Sequence, residues 1–309
     1  MQEEQNNKHF NDEIDLRDLF HVLSKGKRTI IYVTALISTL AIILSLLTPN
    51  IYESRTLLAP VKPANSISGA LKSYSGLAGI AGISLPTDDE ENNSAKALEK
   101  LKSLSFFENN ILNNIFLPDL MAVKSWDYET NTLNYDSSIY EAKSKTWVRD
   151  YSYPQKLIPS AQESFEVFIE NHLTLTEDIE TGFISLSIKH QSPFIAKQWA
   201  ELAVNQVDNF YRQKDKLESE KAVEYLSEQI LMTSLSEIKQ VIAELLQEET
   251  QKLSLVEANE YYVFEYIDPP AVMEEKYGPN RVLYFIVSLL LGALLGIFLV
   301  IIKHYFFKK

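Results

Sequence analysis

Two long apolar runs stand near the ends of this chain, Thr29 to Leu47 and Val282 to Ile302, and neither holds a charged residue. At a helical rise of about 1.5 Å per residue they reach roughly 28 and 32 Å, the thickness of a hydrocarbon core, so each is predicted to span a bilayer. Lys25, Lys27 and Arg28 precede the first run, and Thr48, Pro49 and Asn50 follow it. The positive-inside rule therefore places the N-terminus in the cytoplasm, and a second span returns the C-terminus to the same side. The first run is long, lies well inside the chain and ends in Leu46-Leu47-Thr48-Pro49. This sequence lacks the small-x-small pattern of a cleavage site, which argues for a retained anchor.

Between the spans the period changes. Ile51 to Leu58 is rich in β-formers and stops at Pro60, which reads as a strand. Val61 to Pro86 carries Pro63, Gly69, Gly76, Gly79 and Gly82. Its apolar part, Ser75 to Ile83, reads either as a flexible loop or as a segment packed closely on a neighbouring subunit. Asn93 to Phe116 places Leu98, Leu101, Leu104, Phe107 and Ile111 at helical spacing. Ser160 and Glu163 form a capping-box pattern for a helix to about His172. Leu173 to Thr176 and Phe183 to Lys189 then alternate around Thr181-Gly182, as in an antiparallel pair.

Ser192-Pro193 opens a stretch with no Gly or Pro until Ile267, rich in helix formers to about Ala258. As one rod, residues 193–258 would reach ~100 Å, far from the sheet that the next strand, Tyr261 to Ile267, must rejoin. The run is therefore expected to fold back at a hinge formed by Thr233, Ser234 and Ser236, where Ser234-x-x-Glu237 is a second capping-box pattern. Val204, Val207, Phe210, Leu217, Val223, Leu226 and Ile230 would pack on neighbouring arms. The expected organisation is a tail at 1–28, a span at 29–47, a base domain at 48–192 and an arm at 193–258. A base strand with a Pro-containing segment follows at 259–281, with Pro269, Pro270 and Pro279, then a span at 282–302 and a tail at 303–309.

Composition narrows the chemistry. The net charge is −13, and with −1 in residues 1–28 and +3 in 303–309, −15 falls on the part between the spans. Such a surface repels nucleic acid and anionic headgroups. There is no cysteine, no Walker A string, and no pair of the five histidines at metal-ligand spacing. No metal, cofactor or catalytic residue is expected, and tails this short bury no core for a cytoplasmic signalling domain. Trp126, Tyr128, Tyr140, Trp147 and Tyr151 read either as a core or as a platform for stacking sugars. Gly292 and Gly296 form a G-x-x-x-G that would bring spans together. Ile14, Leu16, Leu19, Phe20 and Leu23 suit a short helix on the inner membrane face, or a disordered tail.

In this order of elements the chain resembles the Wzz family of polysaccharide co-polymerases, the O-antigen chain-length determinants. The resemblance rests on Asp12 to Leu16, Ile51-Tyr52-Glu53-Ser54, Ser192-Pro193 with Ala196 and Trp199-Ala200, and Ala258-Asn259-Glu260-Tyr261 leading to Ile267-Asp268-Pro269. Gly292 and Gly296 in the last span are also family-like. Met273-Glu274-Glu275 departs from the pattern, standing where the family often has further prolines.

The resemblance implies an α+β inner-membrane protein, with two transmembrane helices flanking a periplasmic α/β base domain that carries a long extended helical arm. It further implies bell-shaped homo-oligomers that set the length of polymer made by the Wzy polymerase from undecaprenyl-linked repeat units, without chemistry of their own. A second function for such an architecture is an export adaptor joining an inner-membrane polysaccharide transporter to the outer membrane. The two differ in phenotype: loss of a regulator changes polymer size, whereas loss of an adaptor strands polymer inside.

Overall fold

A computed structural model describes residues 16–61 and 93–306. The glycine-rich stretch Ser75 to Ile83 and the sequence Asp12 to Asp15 lie outside the described residues. The chain divides into two compact units: the two terminal helices, and Asn50–Tyr277.

The first unit is a pair of helices, α1 (Leu16–Leu47) and the last helix of the chain (Arg281–Phe306). Within them Phe20–Leu47 and Arg281–His304 are long and apolar enough to cross a membrane. Residues from Leu16 onward are helical without a break before the apolar run, so Leu16, Leu19, Phe20 and Leu23, read as part of a separate surface helix or a disordered tail, belong to α1, while Ile14 lies outside the described residues.

The second unit is built on a four-stranded antiparallel sheet of order β6-β7-β1-β8, comprising β1 (Tyr52–Pro60), β6 (Leu173–Glu177), β7 (Ile184–His190) and β8 (Phe264–Asp268). Gly182, at φ +71° in the β6–β7 turn, supplies a backbone conformation that a side chain disfavours. Register puts Ser54, Thr56 and Leu58 opposite Ile188, Leu186 and Ile184, all buried.

The expected helix over 93–116 is broken into α2 (Asn93–Leu101) and a mixed segment, Leu104–Phe106, a π turn at Phe107–Ile111 and a 3-10 turn at Leu112–Asn114. Side chains that compete for the backbone explain the irregularity. Ser103 Oγ accepts the Phe106 N–H, and Asn109, Asn110, Asn113 and Asn114 each donate to carbonyls four or five residues earlier. The periodic residues still reach the core, except that Leu104 is exposed.

After α3 (Leu117–Met121) come two small hairpins, β2 (Val123–Asp127) with β3 (Thr132–Tyr135) and β4 (Tyr140–Glu141) with β5 (Thr146–Trp147), followed by α4 (Ala161–Val167). Only half of the capping box at α4 forms. Ser160 Oγ accepts the Glu163 N–H, while the Glu163 carboxylate turns to Arg149, whose guanidinium also donates to the Leu157 and Lys156 carbonyls.

The long helical stretch is two helices, α5 (Pro193–Met232) and α6 (Ser236–Ala258). The first half of α5 lays Ala196, Trp199, Ala200, Ala203, Val204, Val207 and Tyr211 on the sheet at spacings of one, three and four, a single helix face. The second half pairs with α6 around Leu226, Val241, Ile242 and Leu245, with Ile230 against them. Of the residues assigned to neighbouring arms, Val204, Val207, Phe210, Leu226 and Ile230 are thus used within the subunit, and Leu217 is exposed. The apolar stripe was needed for the chain's own sheet and hairpin.

Candidate functional site

The residues singled out in the sequence fall in separate places, so the candidate site is a framework rather than a pocket. In the helix-pair unit the last helix becomes α7 (Arg281–Phe306), and its glycines face α1. A Cβ on Gly292 would stand 2.8 Å from Thr34 Cα, and one on Gly296 would stand 2.8 Å from Ile30 Cα. Gly26 meets the Val300 side chain in the same antiparallel register. Small residues let the two backbones approach where a side chain would hold them apart. Ser38 and Ser288 are buried one turn further along the same two faces.

In the sheet unit, Pro269 and Pro270 end β8, because neither has an N–H to donate to a ladder. Side-chain hydroxyls of β1 take over beyond that point: Thr56 Oγ1 donates to the Asp268 carbonyl at 2.7 Å and Ser54 Oγ to the Ala271 carbonyl at 2.8 Å. Further on, the Tyr277 N–H donates to the Ile51 carbonyl, and Lys189 Nζ sits 4.5 Å from the Tyr277 ring centre. Pro279 follows Gly278 through a cis peptide bond.

Thr233, Ser234 and Leu235 lie between α5 and α6, and Ser236 is the first residue of α6. Thr233 Oγ1 donates back to the Gln229 carbonyl. The capping box expected at Ser234 and Glu237 does not form, since Leu235 occupies the N-cap position and no side chain caps the helix. Leu231, Met232 and Leu235 are exposed around this turn.

Most of the aromatic residues are used internally. Tyr140 is buried, 5.6 Å from Tyr135 and 5.2 Å from Trp147, and Trp126 lies between Tyr52 and Phe194. Tyr128 and Tyr151 are exposed but have no ring partner among the described residues that would align them as a platform. The half-open pocket bounded by Leu98, Glu99, Lys102, Leu175 and Thr176 is about 160 Å³, below the roughly 300–1,000 Å³ of ordinary ligand pockets.

The strongly shifted titratable groups are structural. Burial pushes the His172 and His190 imidazoles down, His190 to about 4, and the pair packs on Trp199. Burial raises the Asp119 carboxyl, which accepts the Tyr135 hydroxyl at 2.6 Å. None of these groups lines the pocket beside Leu98 and Leu175. The roles of Thr56, Gly26 and the histidine pair have no motif in the sequence, and Ser54 is marked there only as part of the Ile51-Tyr52-Glu53-Ser54 motif. The only available cue was buried-side alternation in β1, which marks Ser54 and Thr56 as polar residues on an inward face.

The family model described as "Chain length determinant protein" (Wzz) matches residues 12–117. No curated protein sequence matches. Among solved structures the chain is similar to one described as "full-length bacterial polysaccharide co-polymerase", at 13% identity and TM-score 0.41, covering 96% of this chain and 99% of that one. It is also similar to a "Fragment of WzzB, Polysaccharide Co-polymerase from Salmonella Typhimurium", at 12% identity and TM-score 0.32, covering 74% of this chain and 100% of that one.

Proposed function

The chain carries the Wzz chain length determinant signature over residues 12–117, and we propose that it is a non-enzymatic regulator of lipopolysaccharide O-antigen, or related surface polysaccharide, chain length. On this reading it is a two-pass inner-membrane protein with both termini in the cytoplasm and residues 48–281 in the periplasm. It assembles as a homo-oligomer and acts with the Wzy polymerase on undecaprenyl-linked polymer. The family match carries the reading. A helix apolar enough to cross a membrane at each end of a folded α+β domain supports it.

On this reading the parts divide the labour. The helix pair is the anchor, with Gly292 and Gly296 as its packing residues. The sheet is the base, tied through Pro269 and Pro270 toward the second span. The α5–α6 hairpin is the arm, turning at Thr233, Ser234 and Ser236. A scaffold of this kind biases when a polymerase stops by holding it and its growing chain, and needs no acid, base or nucleophile of its own.

The test is a lipopolysaccharide gel of the host with the gene deleted and then restored. Replacement of a clustered set of long chains by a broad distribution of shorter ones, reversed on restoration, supports the proposal. Loss of surface polymer with accumulation inside favours an export adaptor instead.

A further inference from the structure

Helix α6 ends at Ala258 without a glycine, and Asn259 continues in extended conformation, at φ −77° and ψ 132°. The last carbonyls of a helix need donors, and a residue in the left-handed conformation often supplies them by folding the chain back. Here the donors come from the other helix of the hairpin. Arg212 of α5 directs Nη1 to the carbonyls of Val256 at 2.9 Å and Asn259 at 2.6 Å, and Nη2 to that of Glu260 at 2.9 Å. A guanidinium suits this position twice over, because its planar fork reaches several acceptors and its charge meets the negative end of the α6 dipole.

Asp208, one turn earlier on α5, completes the arrangement. Its Oδ2 accepts Arg212 Nη2 at 3.1 Å, and its Oδ1 accepts the backbone N–H groups of Tyr262 at 2.9 Å and Val263 at 2.8 Å. The Tyr262 ring lies 5.4 Å from the guanidinium, and its hydroxyl donates to Asp215 at 2.5 Å. Lys216 and Glu257 add an ion pair on the solvent side. Asp208, Arg212 and Asp215, at spacings of four and three on one helix, thus hold the whole stretch from Val256 to Val263. The same helix also carries Lys197–Glu201 and Lys214–Glu218, ordinary solvent-exposed pairs with no bond to the returning chain.

We propose that Asp208 and Arg212 are the positioning residues that lock the returning helix α6 and its exit into β8 against α5. Loss of the lock lets the hairpin splay at its root and shifts the length of polymer the protein selects. The second half of the inference rests on the length-regulator reading above; the first half does not. Asp208 is bonded to two backbone amides as well as to Arg212, so the lock is directional. Exchanging the two residues cannot rebuild it, although exchange would rebuild a simple ion pair.

The chain has no cysteine, so a nitroxide pair at Gln213 and Ser254, in labelled full-length protein diluted with an excess of unlabelled protein, reports the hairpin root of a single subunit in lipid nanodiscs. A single narrow distance is expected for the wild type. Arg212→Gln and Asp208→Asn should lose it, Arg212→Lys should recover it in part, and the double exchange D208R/R212D should not recover it. In a deletion strain, the same variants at wild-type membrane levels should shift the modal lipopolysaccharide band. An unchanged narrow distance in Arg212→Gln, or full recovery in the exchange, overturns the lock. A broadened distance with an unshifted band, in a strain where deletion does alter the profile, overturns its effect on length. If deletion leaves the profile unchanged, the length reading fails and the distance alone decides the lock.

Discussion

His190 Nδ1 accepts the backbone N–H of Ser192 at 2.9 Å, so this imidazole, rather than the Ser192 hydroxyl, serves the residue that opens α5. Its Nε2 donates to the Asp119 carbonyl at 3.0 Å, which fixes a neutral ring in one tautomer. A second proton would have to enter at Nδ1, against a donor already there.

Acid should therefore destabilise this unit. Burial lowers His190 from an ordinary 6.5 to about 4, with His172 lowered alongside it. A folded value below the unfolded one gives full stability above pH 6.5 and loss as pH falls toward 4. By pH 5, before most carboxylates titrate, the His190 contribution is a loss of about 2 kcal/mol. Thermal melts at pH 7 and pH 5 should show this loss in the wild type and a flatter dependence in His190→Gln. Equal slopes in both proteins would contradict the assignment.

The approach of Gly292 to Thr34 and of Gly296 to Ile30 involves backbone atoms, which cannot swing aside. Replacing either glycine with leucine should force α1 and α7 apart. Cysteines at Ser38 and Ser288, both buried, should crosslink readily in an otherwise wild-type chain and poorly in Gly292→Leu or Gly296→Leu. Undiminished crosslinking would show that the glycines are not what holds the pair together.

The hairpin makes a distance prediction of its own. In the register set by Leu226 against Val241 and Ile242, labels at Glu224 and Lys252 are offset by roughly 10 Å along the hairpin, so with the roughly 8–10 Å between packed helix axes they should lie about 14 Å apart before the label arms are added. A continuous helix would put them ~42 Å apart.

The hairpin core is small, which makes it sensitive. Ile242 is 2% exposed and Leu231 is 84% exposed. Ile242→Ala should cost about 2–4 kcal/mol through the cavity it leaves, and Leu231→Ala less than about 0.5 kcal/mol. Chemical denaturation of the two variants separates these outcomes, and equal costs would contradict the packing.

Local pattern made much of this architecture legible. Unbroken apolar runs marked both long terminal helices, and alternation around Thr181-Gly182 marked β6 and β7, because each signal arises within a few residues of itself. What escaped the sequence reading depends on distant partners. Ser54 meets the Ala271 carbonyl 217 residues away, and Arg212 meets Glu260 48 residues away. In the sequence, Asp208 and Arg212 look like any other i, i+4 pair on a solvated helix. The apolar stripe of α5 was visible, but its partner was not: sequence periodicity shows that a face is buried without showing against what. At Ser234 and Glu237 the capping-box letters were present, yet Leu235 took the cap position, since turn geometry within the hairpin decides which residue stands first.

The central claim is that this protein changes the length of a polysaccharide without making it. The most direct measurement is polymer size after reconstitution in proteoliposomes of the polymerase and its lipid-linked repeat units, with and without this chain. The account predicts that adding the chain narrows the distribution around a modal length at similar total polymer, and that the chain alone yields no polymer. An unchanged distribution, or polymer made in the absence of the polymerase, would contradict it.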